Sequence, residues 1–122
     1  MKIKKFILRD SGKRESFKSG ARRDVRQGKG RYDLISVFGL ARLAAVMEKG
    51  ALKYGERNYE LGMPYSRFID SAIRHITQYV MGMQDEDHLA QACFNLFAIM
   101  HMEATHPDLD DMPKYLNEKN DA

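Results

Sequence analysis

Residues 85–104 constrain the fold more than any other stretch. On a helix turning about 100° per residue, Leu89, Ala90, Ala92, Cys93, Phe94, Leu96, Phe97, Ala98 and Met100 cover almost the whole circumference. A helix so apolar belongs in an interior. Yet His88, Gln91 and Asn95, spaced i, i+3 and i+7, draw one polar line along it. Burying three polar side chains in line is unfavourable unless each finds a hydrogen-bond partner. The Asp85-Glu86-Asp87 triplet just ahead suits the positive end of a helix dipole, which accounts for the triplet and not for the line behind it.

Two further helices precede this one. Helix A is expected from Asp33, as N-cap, to Tyr54, with Gly55 to end it and Gly50 loosening its last turn. Gly62 and Pro64 make residues 55–65 a loop, and helix B then runs from Ser66, a second N-cap, to Met81. Gly82-Met83-Gln84 form a turn, helix C spans Asp85 to Ala104, and Pro107 stops it. The strand signal is confined to Phe6-Ile7-Leu8, an edge strand or docking segment. Ser19-Gly20-Ala21-Arg22-Arg23-Asp24 and Gly28-Lys29-Gly30-Arg31 read as loops. The expected fold is therefore an all-α helical bundle. Its parts are an irregular N-terminal arm (1–32), a helical core (33–106) and an acidic tail (107–122), forming a short helix or no regular structure. Three helices in 122 residues leave much apolar surface, so burial by a second subunit is expected.

The net charge of +3 hides an asymmetry. Residues 1–31 hold 12 Lys/Arg and 3 Asp/Glu, or +9; residues 32–122 hold 8 and 14, or −6. A basic arm on an acidic body suits a polyanion near the arm and cations near the body. No apolar run reaches the ~18–20 residues of a membrane span, and no apolar signal-peptide core follows the basic Met1–Phe6 stretch. Cys93, the single cysteine, cannot form an internal disulfide, in keeping with a reducing, cytoplasmic setting.

Several polar residues sit where the wheels are apolar. In helix A, Leu34, Val37, Ala41, Ala44, Ala45 and Leu52 form one face, with Glu48 in its middle and Arg42, Lys49 and Lys53 as a basic stripe beside it. An inward carboxylate needs a cation, a metal ion or a proton. In helix B the stripe is Ile69, Ala72, Ile73, Ile76, Tyr79 and Val80. Asp70 and Arg74 border it on one side and His75 on the other. Taken singly, Glu48 reads as a metal ligand or catalytic carboxylate slightly ahead of half of an ion pair, Asp70–Arg74 as a surface pair, and His75 as a core histidine. Together, Glu48, Asp70, Asp85, Glu86, Asp87 and His88 would supply a hard-cation site inside the bundle. Magnesium and manganese prefer carboxylate oxygen and bridge to phosphates, and Lys29, Arg31, Lys53 and Arg74 would supply the phosphates' counter-charges.

The string Gly50-Ala51-Leu52-Lys53-Tyr54-Gly55-Glu56-Arg57-Asn58-Tyr59 is followed by Asp70-Ser71-Ala72-Ile73-Arg74-His75 and by His88-Leu89-Ala90-Gln91-Ala92. With Gly28-Lys29-Gly30-Arg31-Tyr32-Asp33-Leu34-Ile35 ahead of them, these motifs resemble the phage-type (MazZ-like) dATP/dGTP diphosphohydrolases. That group is related to the MazG-like all-α nucleoside triphosphate pyrophosphohydrolases, and the likeness covers roughly residues 19–100. The resemblance implies a MazG-like bundle assembled as a dimer or a dimer of dimers. It also implies a purine (deoxy)nucleoside triphosphate, dGTP above all, cut between its α and β phosphates to a monophosphate and pyrophosphate. Two or three Mg²⁺ or Mn²⁺ ions would serve the reaction. The likeness extends to enzymes serving phages that replace adenine by 2-aminoadenine, which implies the cytoplasm of an infected bacterium. The Glu-x-x-Glu of the wider superfamily is absent, and Asp85–His88 gives only Asp-x-x-His.

Carried onto this chain, the resemblance puts Asp70 and the Asp85–His88 segment at the metals. Glu48 is the additional carboxylate, and Glu48 or Asp70 accepts the proton of the attacking water. Lys53 and Arg74 would bind the triphosphate, Lys29 and Arg31 would close over it, and Tyr54, Asn58 and Asn95 would contact base or sugar.

The opposing reading is a nucleic-acid-binding protein that uses Arg22, Arg23, Arg26, Lys29 and Arg31 on phosphates. The arm offers little aromatic interleaving beyond Phe17 and Tyr32, and the inward carboxylates would have no role, so neither nucleic acid nor membrane is the expected partner. An HD-type hydrolase ranks lower, since no histidine here is followed by aspartate. A purely structural bundle leaves the His88–Gln91–Asn95 line unexplained.

Overall fold

The computed structural model describes residues 6–116, which divide into two compact units within Met1–Ile35 and Ser36–Ala122. In the first unit, Phe6-Ile7-Leu8 form no strand. A hairpin stands instead where loops are expected, with β1 (Arg14–Ser16) antiparallel to β2 (Arg22–Asp24). Its register sets Arg14 opposite Asp24 and Glu15 opposite Arg23, so opposite charges, not alternating apolar residues, select the pairing. Asp24 also accepts from the Ser11 hydroxyl and pairs with Lys29 Nζ at 2.8 Å. These donors, Lys29 foremost, hold its carboxyl well below the usual range. A 3-10 turn, Tyr32–Leu34, ends the unit.

The second unit is helical. Helix α1 (Val37–Tyr54) starts three residues later than Asp33 would start it. Ser36 is the N-cap, accepting from Gly39 N at 3.2 Å, and Gly55, at φ 96°, closes the helix. A 3-10 turn (Asn58–Leu61) leads to α2 (Tyr65–Val80). Ser66 is inside α2 and not its cap: its amide and hydroxyl both donate to Asp111, 45 residues on. Helix α3 (His88–Thr105) begins at Asp87, whose side chain accepts from Ala90 N at 3.1 Å, so Asp85 and Glu86 lie in the loop ahead of it.

Helix α3 packs mainly on α2 and also on α1. The core is Tyr65, Phe68, Ala98 and Met102, with Tyr59, Met63, Phe94, Ile99, Leu109 and Met112 against it. The tail is therefore partly built into this unit, through the 3-10 turn Pro107–Leu109 and the Asp111 contact; its last six residues, 117–122, lie outside the described residues. Gly62, at φ 104°, lets the chain pass Leu109 so closely that a Cβ would lie 2.8 Å from its side chain.

The helices are rotated relative to the expected faces. The partly covered side of α1 is Leu43, Val46, Met47, Gly50 and Ala51, whereas Val37, Ala41, Ala44, Ala45, Leu52 and Glu48 are exposed. In α2 the buried line is Tyr65, Phe68, Ala72 and His75, while Ile73, Ile76, Tyr79 and Val80 face out. In α3 the polar line turns inward, with His88 and Asn95 buried, and Leu89, Leu96, Phe97 and Met100 are exposed. Three helices enclose one interior, and here polar groups occupy part of it. The most apolar faces are left outside.

Candidate active site

A cleft of about 850 Å³ opens between the C-terminal half of α1, the 55–59 loop, α2 and the start of α3. One face of α2 supplies its wall: Arg67, Asp70, Ser71, Arg74, His75 and Gln78 recur at helical spacing and all line it. Lys49, Lys53 and Tyr54 of α1 and Arg57 and Asn58 of the loop stand around it, with Asp85, Glu86 and Asp87 just ahead of α3. Phe94 and Asn95 reach it from α3, and Phe94 is held edge-on to Tyr59 with ring centroids 5.4 Å apart.

Each member of the polar line on α3 has its partner. His88, whose side chain is fully buried, bonds Asp85 Oδ1 through Nε2 at 2.8 Å and His75 Nδ1 through Nδ1 at 2.9 Å. Gln91 Nε2 donates to Glu86 Oε1 at 2.8 Å. Asn95 Nδ2 donates to Gln91 O at 2.8 Å and to Ser71 Oγ at 3.2 Å, and Arg74 reaches the same Ser71 hydroxyl at 3.3 Å. The line thus ties the acidic loop and the α2 wall to the buried side of α3. His75 is itself buried, and loss of hydration pushes its imidazole below its ordinary pKa.

The acidic groups divide by their company. Asp85, Glu86 and His88 each bring one potential ligand atom within 4.8 Å of the others. The His88 hydrogen bond holds the Asp85 carboxyl below the usual carboxylate range. Two carboxylates are the oxygen donors a hard divalent cation takes, so the donor set fits. Asp87 stands apart: Arg42 grips it through two bonds, Nε at 2.9 Å and Nη2 at 2.6 Å, and it also caps α3. Arg42, then desolvation in opposition and the Ala90 amide, leave its pKa at about 2. Its oxygens are engaged in holding α3 on α1, contrary to the ligand role expected of it. Asp70 is exposed on the cleft wall, 3.6 Å from Arg74.

The cations complete the site. Among the described residues, Lys49, Lys53 and Arg67 make no ion pair, although all three line the cleft. Arg57 pairs with Glu60 at 2.9 Å, and Lys53 Nζ stands 5.2 Å from the Tyr54 ring centre.

Of the residues expected at a site, the cleft brings together Asp70, Asp85, Glu86, Asp87, Lys53, Arg74, Tyr54, Asn58 and Asn95, with His88 behind Asp85. It does not include Glu48, which the rotation of α1 leaves exposed. Lys29 and Arg31 lie in the N-terminal unit, paired with Asp24 and Asp33. Sequence reasoning missed Lys49, Arg67, Ser71, His75 and Gln78 as site residues. The α2 group shares one helical face with Asp70 and Arg74, a signal open to view once that face is taken as inward. Gln78 Oε1 is buried without a hydrogen-bond partner among the described residues.

The model of the protein family described as dATP/dGTP diphosphohydrolase, N-terminal, matches residues 19–112. No curated protein and no solved structure matches the chain.

Proposed function

The chain belongs to the dATP/dGTP diphosphohydrolase family, matched through its N-terminal domain, and from that premise we propose that the cleft hydrolyses a purine deoxynucleoside triphosphate, dGTP foremost, to a monophosphate and pyrophosphate. One observation carries the reading. A row of cations, Lys49, Lys53, Arg67 and Arg74, shares one cleft with the carboxylates Asp70, Asp85 and Glu86. Four phosphate-type counter-charges would repel metal alone, and three carboxylates would repel phosphate alone. A triphosphate with its divalent ions is the ligand that satisfies both sets.

Asp85 and Glu86 would hold Mg²⁺ or Mn²⁺, which offsets phosphate charge when bound. Lys53 and Arg74 bind phosphate oxygens, with Lys49 and Arg67 beside them, and fix the α-phosphorus for in-line attack. Asp70, the remaining cleft carboxylate, orients the attacking water and accepts its proton. The α–β bridging bond breaks and pyrophosphate leaves on the cationic side. Tyr54, Asn58 and Asn95 supply an aromatic face and amides suited to a purine nucleoside. The outward apolar faces of α1, α2 and α3 support a homo-oligomer, and the substrate fits a cytoplasmic enzyme, in keeping with a role supplying dGMP in phages with 2-aminoadenine DNA. No helix among the described residues is long and apolar enough to cross a membrane.

In the basic arm, Arg14, Lys29 and Arg31 are already paired with Asp10, Asp24 and Asp33, which weakens the nucleic-acid reading. Incubation with each of the eight common NTPs and dNTPs, under Mg²⁺, Mn²⁺ or EDTA, tests the proposal. Monophosphate and pyrophosphate, formed only with metal and mainly from purine deoxynucleotides, are expected. Turnover unaffected by EDTA, or none on any nucleotide, would overturn it.

A further inference from the structure

The two buried histidines do more than fill space. His88 Nε2 meets Asp85 Oδ1 at 2.8 Å, and His88 Nδ1 meets His75 Nδ1 at 2.9 Å. An ionised carboxylate only accepts hydrogen bonds, and a neutral imidazole carries a single ring proton. With both rings neutral, the His88 proton sits on Nε2, facing Asp85. Its Nδ1 is then a lone pair, so the proton in the second bond belongs to His75 Nδ1. The chain of assignments ends at His75 Nε2, which is left unprotonated. Among the described residues, the His75 ring makes no other hydrogen bond, and His75 lines the cleft. The order Asp85, His88, His75 thus fixes both tautomers.

We infer that His75 and His88 form a tautomer-locked strut that positions the Asp85 carboxylate for a divalent cation, with His88 as a positioning residue and not a metal ligand. Both nitrogens of His88 are engaged and its side chain has no exposure, whereas the Asp85 side chain is 57% exposed. The carboxylate is the member of the pair that meets the cleft's contents. Outer histidine–carboxylate partners of this kind orient metal ligands and raise affinity about 10–100-fold. The strut also leaves His75 Nε2 as a hydrogen-bond acceptor on the cleft wall, suited to a hydroxyl or N–H of the nucleotide. This inference rests on the metal-nucleotide reading of the cleft, but its test needs no turnover.

The full chain, labelled with ¹⁵N, is recorded in long-range ¹H–¹⁵N spectra at pH 8, without metal and then with Mg²⁺ alone. Substitutions His75→Gln and His88→Gln assign the rings. The expected result is an Nε2–H tautomer for His88 and the less common Nδ1–H tautomer for His75, both retained when Mg²⁺ is added. Loss of the His88 Nε2 proton on adding Mg²⁺, or an Nε2–H tautomer at His75, would overturn the inference.

A Mn²⁺ titration followed by electron paramagnetic resonance adds a second readout. His88→Gln keeps a donor toward Asp85 and is expected to stay within about threefold of the wild-type dissociation constant, while His88→Phe weakens it about tenfold or more. Equal weakening in the two variants would contradict the inference. A wild type that binds no Mn²⁺ would refute the metal reading of the cleft and, with it, the positioning role; the spectra separately judge the tautomers.

Discussion

Arg42 and Asp87 join two helices across 45 residues of sequence, with guanidinium Nη2 and Nε at 2.6 and 2.9 Å from the two carboxylate oxygens. The same carboxylate caps α3 through Ala90 N. One aspartate therefore fixes both the start of α3 and its seat on α1, and so the placement of Asp85 and Glu86 just ahead of it. Asp87→Ala should lower stability by about 1 kcal/mol through the lost cap. A double-mutant cycle with Arg42→Ala, read by urea denaturation, should show favourable coupling between the two sites. Additive losses would mean that the contact contributes nothing to folding.

A second tertiary tie gives a pH signature. Asp111 accepts from both the amide and the hydroxyl of Ser66 in the first turn of α2, and these bonds hold its carboxyl below its ordinary value of 3.8. A carboxyl whose pKa is lower folded than unfolded stabilises above the unfolded value, and that stabilisation is lost as pH falls through the folded one. Asp111→Ala should lower the urea midpoint at pH 7, and the difference from wild type should shrink as pH drops below about 4. A constant difference from pH 7 to pH 3 would show that the charge is not what matters.

The roles proposed for the cleft residues should separate kinetically. Arg74→Ala should raise KM for the nucleotide about tenfold with a smaller change in kcat. Asp70→Asn should lower kcat by about 100-fold or more, with helical content intact by circular dichroism. Glu48→Ala should remain within about threefold of wild type in both constants, because the structure places Glu48 outside the cleft. Steady-state kinetics on dGTP with saturating Mg²⁺ checks all three.

The number and rough extent of the helices were legible in the sequence, because Gly55, Pro64, Gly82 and Pro107 punctuate it. Their rotation was not. Hydropathy marks Ile73, Ile76 and Val80 as the inward stripe of α2, yet Tyr65, Phe68, Ala72 and His75 are buried, because α2 carries apolar residues on two faces and periodicity does not rank them. That rotation is why Glu48 was expected inward and the Arg67–Gln78 face was missed. The polar line on α3 was readable as a demand for partners. The partners themselves, His75 and Ser71 among them, were not, since they depend on the phase in which α2 meets α3. The β1–β2 hairpin escaped notice because charge pairing forms it without any apolar alternation.

The outward apolar residues carry their own prediction. Phe97 and Val37 are 51% and 69% exposed in the single chain, and large apolar side chains left exposed on helix faces suit an interface. Sedimentation equilibrium should give a mass of at least twice 14.1 kDa, and Phe97→Glu should shift the protein toward monomer. A wild type that is monomeric at micromolar concentration would contradict the interface.

The most direct measurement follows dGTP hydrolysis in ¹⁸O-enriched water by ³¹P NMR, with and without Mg²⁺. Pyrophosphate free of label and a monophosphate carrying one ¹⁸O, formed only when metal is present, are the expected products of water attack on the α-phosphorus in the proposed Asp70–Asp85 site. Label in pyrophosphate, or release of inorganic phosphate or triphosphate, would contradict it.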